Sequence, residues 1–319
     1  MAKAFMLIPA ILEHTDSGSM WEWSDNMMLA VFWVSSGYVS NADFSIKWKA
    51  FRLLLPYVLM NILCLLFVWI HMDAPFEPIQ LEGILYGRFK LYRGAVSAAN
   101  PILMGAYNSV LWFLPSFFLS YIVFRVLISV KGIIANVGVI VICLFATWAI
   151  GLLPVLLPWS LGTAPAFGCV IYMGRLVRIT GLLRKSPIIC FFGGGLLYAL
   201  FNYLVGFTNI SIGDFGRSVF LWFPAAVCGA VAFISLCYFS GQSIFSRVVA
   251  WFNRGALFIF GMQLVFTSYI LEISHPWGIT MWELKAVIVL AACFGGGKIL
   301  ALLYNLALPV RRRNIVTMM

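Results

Sequence analysis

From 132 to 153 the chain runs without one charged side chain, and apolar runs of similar length recur from one end to the other. A continuous run of about 17–25 apolar residues matches the thickness of a bilayer. In hydrocarbon every backbone N–H and C=O must find its partner internally, which makes the α-helix the form such a run takes. Ten segments fit this description, at 1–14, 26–42, 51–71, 108–130, 132–153, 164–177, 187–207, 218–240, 255–273 and 283–307, the first and sixth being short. No soluble domain interrupts them. The expected fold is therefore all-α: one polytopic membrane domain over 1–319 with about ten transmembrane helices. Composition agrees, with 63% hydrophobic and 10% charged residues against about 25% charged in soluble domains. The longest break, 72–107, holds PFEPIQ and Arg88, Lys90 and Arg93, and reads as a partly ordered external loop.

Charge sets the expected orientation. With the N-terminus inside, 15 of the 21 Lys and Arg fall on the cytoplasmic side, and ten of the eleven acids fall on the other. That is the positive-inside pattern. It places both termini in the cytoplasm and requires an even number of spans. The net charge of +10 then marks loops and membrane lipid contact, and nucleic acid is not an expected partner. The seven cysteines lie in or beside apolar runs without a CxxC pair, so neither structural disulfides nor zinc is expected. His71 and His275 lack a third ligand, and no metal site is expected. No cleavable signal peptide is read after Ala4–Leu12, for want of a small-residue cleavage site.

Few residues here could carry chemistry. Lys3 and His14 have ten residues between them on the first apolar segment. On an ideal helix they share one face, about 16 Å apart along the axis. His14, at the outer end, has Glu13 beside it and Asp16 two residues on. An imidazole is the natural general base at neutral pH, and a carboxylate can hold its tautomer. A histidine that caps a helix end at the interface fits the spacing as well. At the inner start of the third helix, Lys49 and Arg52 are i, i+3 neighbours, able to clamp phosphates or to anchor the helix by snorkelling. Asn108 and Trp112 open the next helix in NSVLWFLP, and Arg254 lies at a later inner helix start. Gln263 falls in mid-membrane; such a group bridges helices or lines a cavity, with bridging slightly favoured. Gly193–Gly195 and Gly295–Gly297 lack the setting of phosphate loops and read as close helix packing, with Lys298 snorkelling inward.

Taken in order, these segments resemble the acyltransferase-3 superfamily of integral-membrane O-acyltransferases, especially the branch similar to fucose 4-O-acetylases. The family's first helix carries a basic residue, ten residues, then a histidine, as Lys3 and His14 do. LAVFWVSSGY ending at Tyr38, Lys49 and Arg52 before Leu53–Pro56, the intact LWFLP at Leu111–Pro115, and LPWSL leading to a short helix ending near Arg178 match the family's later elements. The likeness spans nearly the whole chain. Three departures stand out: Lys3 lies so near the start that helix 1 lacks the usual lead-in, Gln263 occupies the position of a late histidine, and the basic pair begins with Lys, which loses bidentate geometry.

The resemblance implies acetyl transfer from cytoplasmic acetyl-CoA to a hydroxyl of a surface polysaccharide or its lipid-linked precursor at a bacterial inner membrane. His14 would be the base, supported by Glu13 or Asp16 and aligned with Lys3. Lys3, Lys49, Arg52 and Arg254 would draw the phosphates of CoA, and Trp112 and Asn108 would line the acceptor side. Two other classes, a lipid-linked glycan flippase and a polysaccharide polymerase, share the helix count. Apart from Lys298, no ionisable side chain sits near a helix midpoint, as a transporter would need. A polymerase, with donor and acceptor both external, has no use for inner cations aligned with an outer histidine.

Overall fold

In a computed structural model the described residues are 2–15, 24–41, 43–71, 78–95, 97, 106–239, 244–253, 255–274 and 281–307. They form thirteen α-helices: α1 (Ala2–Leu12), α2 (Asp25–Val39), α3 (Ile46–His71), α4 (Pro78–Tyr86), α5 (Phe113–Ser129), α6 (Ile133–Gly151), α7 (Ala164–Thr180), α8 (Leu182–Lys185), α9 (Pro187–Val205), α10 (Val219–Phe239), α11 (Ile244–Asn253), α12 (Ala256–Ser274) and α13 (Trp282–Ala307). Each of the ten apolar segments overlaps one of them, α3 beginning five residues ahead of its segment. Among the described residues no β-strand occurs, only isolated bridges such as Tyr92 with Val155.

By length and composition six described segments can cross a bilayer: Ile46–Ile70, Ser109–Ser129, Ile133–Gly151, Pro187–Val205, Val219–Phe239 and Trp282–Leu306. A seventh results if α11 and α12 act as one bent span. Three other predicted segments are helical but short. α1, α2 and α7 have 11, 15 and 17 residues, or about 16, 22 and 25 Å at 1.5 Å per residue, against a hydrocarbon core of about 30 Å.

The short helices are also the central ones. α2 packs against α1, α7 and α10, and α7 against α2, α5 and α6. Lipid offers no hydrophobic drive for helices to associate, so close packing must hold them. Gly37 and Gly174 provide it. A Cβ on Gly37 would overlap the Ile171 carbonyl of α7, and one on Gly174 the Val34 carbonyl of α2. With the backbones this near, Trp33 stacks on Phe167 at 3.9 Å and meets Phe113 and Phe117 of α5. Each such aromatic pair adds about 0.5–1.5 kcal/mol beyond area burial. α6 and α9 lie at the other extreme, with most side chains facing outward.

The two glycine triplets behave in part as expected. Gly194 meets Cys228 and Ala232 of α10, and Gly297 meets Ile259 of α12, while Gly195 and Gly295 face open space. Lys298 does not snorkel to water. It is 5% exposed and donates to the Trp251 carbonyl at 2.6 Å with its ammonium over that indole, capping the last turn of α11.

Gly37→Ala and Gly174→Ala should each destabilise the protein by about 1–3 kcal/mol, since a backbone carbonyl cannot move aside as a side-chain tip can. Gly195→Ala should be neutral or slightly stabilising. Thermal unfolding in detergent separates the two cases, and equal behaviour of all three would refute the glycine contact.

Candidate active site

α1 stops two residues before His14. Glu13 N–H donates to Pro9 O, His14 N–H to Ile11 O, and Thr15 Oγ1 to Leu12 O. The histidine therefore sits in a tight turn rather than on the helical stripe that even spacing predicts. Pro9 lies inside α1 without ending it. The turn delivers both Glu13 and His14 to one cavity of about 500 Å³, with Asp25 from the first turn of α2, Trp112, Gln263 of α12, and Thr208, Asn209 and Ser211 from the loop after α9. Phe89, Phe207 and Phe260 supply aromatic wall beside Trp112.

His14 is exposed and lines this cavity. The protein around the ring displaces part of its water, which disfavours the imidazolium and lowers its pKa below 6.5. The ring is thus neutral, and able to accept a proton, at physiological pH.

The LWFLP segment forms the opposite wall. Leu111 to Leu114 are all buried, at the point where a 3₁₀ helix (Ala106–Trp112) passes into α5. Trp112 is fixed from behind. Arg88, 1% exposed, places its guanidinium 5.8 Å from the Trp112 ring and donates to the carbonyls of Leu157 and Ser211. Arg93 donates to Leu153 O and Ile212 O, Tyr86 OH to Leu156 O, and Trp159 Nε1 to Leu85 O. Three loops, after α4, α6 and α9, are tied together around one rim. The stretch expected to be only partly ordered is thus a hydrogen-bonded cap over its described part, because two guanidiniums satisfy carbonyls of the neighbouring loops. In LPWSL, Trp159 and Ser160 both have positive φ, 54° and 59°, and the buried Ser160 hydroxyl donates to Trp112 O at 3.5 Å. Such backbone strain persists only where surrounding contacts impose it. Gly87 takes φ +71°, which strains any side chain, and a Cβ there would press tightly on Trp159.

Lys3 does not line the cavity. At the other end of α1 its ammonium donates to Ser36 Oγ at 2.7 Å. Lys49 lies nearby, 3.9 Å from the centroid of Tyr121, and both cations act on that phenol. Arg125 and Lys49 flank Phe44, and Arg178 donates to Tyr38 O and Ser40 O. Arg52 departs from Lys49 and stacks over Trp48 at 5.0 Å, so the i, i+3 pair does not act as one clamp. Gln263 is a correction of another kind: it lines the cavity, and its amide oxygen has no hydrogen-bond partner, so the favoured helix bridge is not what it makes. Asp16, Arg254 and the side chain of Asn108 lie outside the described residues, although Ser109, next to Asn108, lines the cavity.

Asp25, Arg88, Phe89 and the 207–211 loop were not candidates from sequence. Asp25 carried one usable signal, an acid at the opening of an apolar helix in SDNMM. The polar TNISIGD stretch between two apolar runs carried another. Asn26 binds them together, donating to Asn202 Oδ1 at 2.7 Å and accepting from Thr208 Oγ1 at 3.0 Å.

Arg88→Met should leave buried carbonyls without a donor, at about 1–3 kcal/mol for each, and open the rim to proteolysis between 87 and 95. A variant with unchanged melting and unchanged cleavage would contradict the clamp.

No family model, curated protein or solved structure matches this chain.

Proposed function

We propose that this protein is an integral-membrane O-acyltransferase of the bacterial inner membrane. It has ten membrane helices and cytoplasmic termini, and it moves an acetyl group from cytoplasmic acetyl-CoA to a hydroxyl of a surface polysaccharide or its lipid-linked precursor. One observation carries the reading: α1 begins at a pair of cations, Lys3 and Lys49 around Tyr121, and ends at a cavity where His14, Glu13 and Trp112 converge. An anionic thioester donor suits the first end, a sugar hydroxyl the second. The 11 residues of α1 span about 16 Å, a distance for a long flexible pantetheine arm to bridge.

The chemistry follows from the side chains. Neutral His14 accepts the proton of the acceptor hydroxyl as its oxygen attacks the thioester carbonyl. The C–S bond then breaks, and the imidazolium returns the proton to the departing thiolate. Glu13 or Asp25 stabilises the transient imidazolium. Trp112, held in place by Arg88 and Ser160, is a fixed part of the wall on the acceptor side. Lys3, Lys49 and, more loosely, Arg52 attract the donor's phosphates; Arg254 belongs to the same inner set by its place in the sequence.

Two measurements test this. In membranes given radiolabelled acetyl-CoA and glycan acceptor, the wild type should label the glycan. His14→Gln should cut the rate by about 10²–10⁴-fold, the usual contribution of a general base, while the protein remains inserted; full activity in the variant refutes the assignment. The pH profile supplies a sign. Because partial desolvation lowers the His14 pKa, the base form persists into mild acid. The acid limb of kcat/KM, which reports the free enzyme, should have its midpoint below 6.5. A midpoint clearly above 6.5 would contradict it.

A further inference from the structure

The wall of the His14 cavity holds a buried amide that pairs with nothing. The buried part of the described lining includes the apolar Ala10, Met28 and Phe260 and the polar Thr208 and Gln263. Thr208 is committed, donating to Asn26 Oδ1 at 3.0 Å. Gln263, 1% exposed, is not: its amide oxygen is fully enclosed and accepts nothing, and its nitrogen makes no hydrogen bond among the described residues. A buried polar group without a partner destabilises the fold, and native structures tolerate few.

The backbone beneath that amide is the opposite case. The Gln263 carbonyl accepts from Cys293 Sγ of α13 at 3.7 Å. A Cβ on Gly261, two residues back, would overlap the Met60 sulfur of α3, and one on Gly297 of α13 would overlap Ile259 of α12. α12 is thus held against α3 and α13 and also packs on α1, the helix that leads to His14. A fixed backbone carries an uncommitted amide. The last torsion of a glutamine side chain is broad, so its –NH2 can turn to an incoming group while the helix stays where it is.

On the acyltransferase reading, on which this inference rests, attack on the thioester creates a charge that His14 does not meet. As the acceptor oxygen bonds to the carbonyl carbon, the π pair of the C=O moves onto the carbonyl oxygen. When that pair returns, the C–S bond breaks and the thiolate takes its proton from the imidazolium. Between these steps the oxyanion calls for a hydrogen-bond donor held ready in a site with little water. We propose that Gln263 is that catalytic residue, its amide –NH2 donating to the thioester carbonyl oxygen. An amide donates without a proton to lose, and on a rigid helix it needs no reorganisation as the charge forms. The unpaired amide of the resting protein is then stability given up for a group whose partner arrives with the substrate.

The test uses the full-length protein in membranes given radiolabelled acetyl-CoA and glycan acceptor, with thermal unfolding of the same variants in detergent. Gln263→Met keeps the volume and removes both polar atoms. It should melt at or above the wild type, because deleting an unpaired buried group removes its penalty. It should nonetheless lower kcat by about 10²–10³-fold, the loss expected for one oxyanion donor, with the KM for acetyl-CoA unchanged. Gln263→Glu keeps the shape but presents carboxylate oxygens that only accept, and it should lose at least as much. Wild-type kcat in either variant, a raised KM in place of the lowered kcat, or melting of Gln263→Met depressed along with its rate would each overturn the assignment. A wild type that transfers no acetyl would sink the acyltransferase reading and this role with it, whereas an active wild type whose Gln263 variants are equally fast removes this role alone.

Discussion

Two glycines on facing helices determine how this bundle can be built. Gly37 and Gly174 bring the α2 and α7 backbones so close that each occupies space a side chain would need. That approach is what lets Trp33 lie flat on Phe167 and reach the rings of α5. In a lipid solvent, where burying apolar surface yields little, dispersion between interlocked surfaces is the force available. Everything that positions the cavity is attached to this centre. α2 carries Asp25 and Asn26 at one end and Ser36 at the other; α5 carries Trp112 at its entry; α7 is led in by Ser160 and Thr163.

Short central helices create the room for chemistry. A helix of 11 or 15 residues cannot fill the thickness of a bilayer, so α1 and α2 leave space beyond their ends. At one end that space becomes the cavity holding His14, roofed by loops that Arg88 and Arg93 stitch together. At the other, cations gather around Tyr121 and Phe44. The long peripheral helices α3, α6, α9 and α13 provide the lipid-facing shell. His14 and the Lys3–Lys49 pair of cations are thereby set at opposite ends of one short helix.

Much of the fold was legible because membrane constraints are blunt: a long, mostly apolar run must be a helix, and each of the ten runs overlaps one, although only six of these helices are long and apolar enough to cross a bilayer on their own. The LWFLP run and Lys3–His14 spacing likewise singled out residues that the structure places at the two ends of α1. Other features could not be read. The end of α1 at Leu12 depends on local turn hydrogen bonds, and the divergence of Lys49 and Arg52 depends on which aromatic ring each finds. Arg88 looked like a loop charge because its burial arises from three segments distant in sequence. Gln263 allowed two readings from depth alone, and only the position of α12 beside α1 separates them.

The central claim is that the His14 cavity and the Lys3–Lys49 cluster open to opposite aqueous compartments. Single cysteines placed at Asn209 and at Lys47, in a cysteine-free background, test it with a membrane-impermeant thiol reagent on intact cells and on inverted vesicles. The account predicts labelling at 209 only from the outside and at 47 only from the cytoplasmic side. Labelling of both positions from the same side would contradict it.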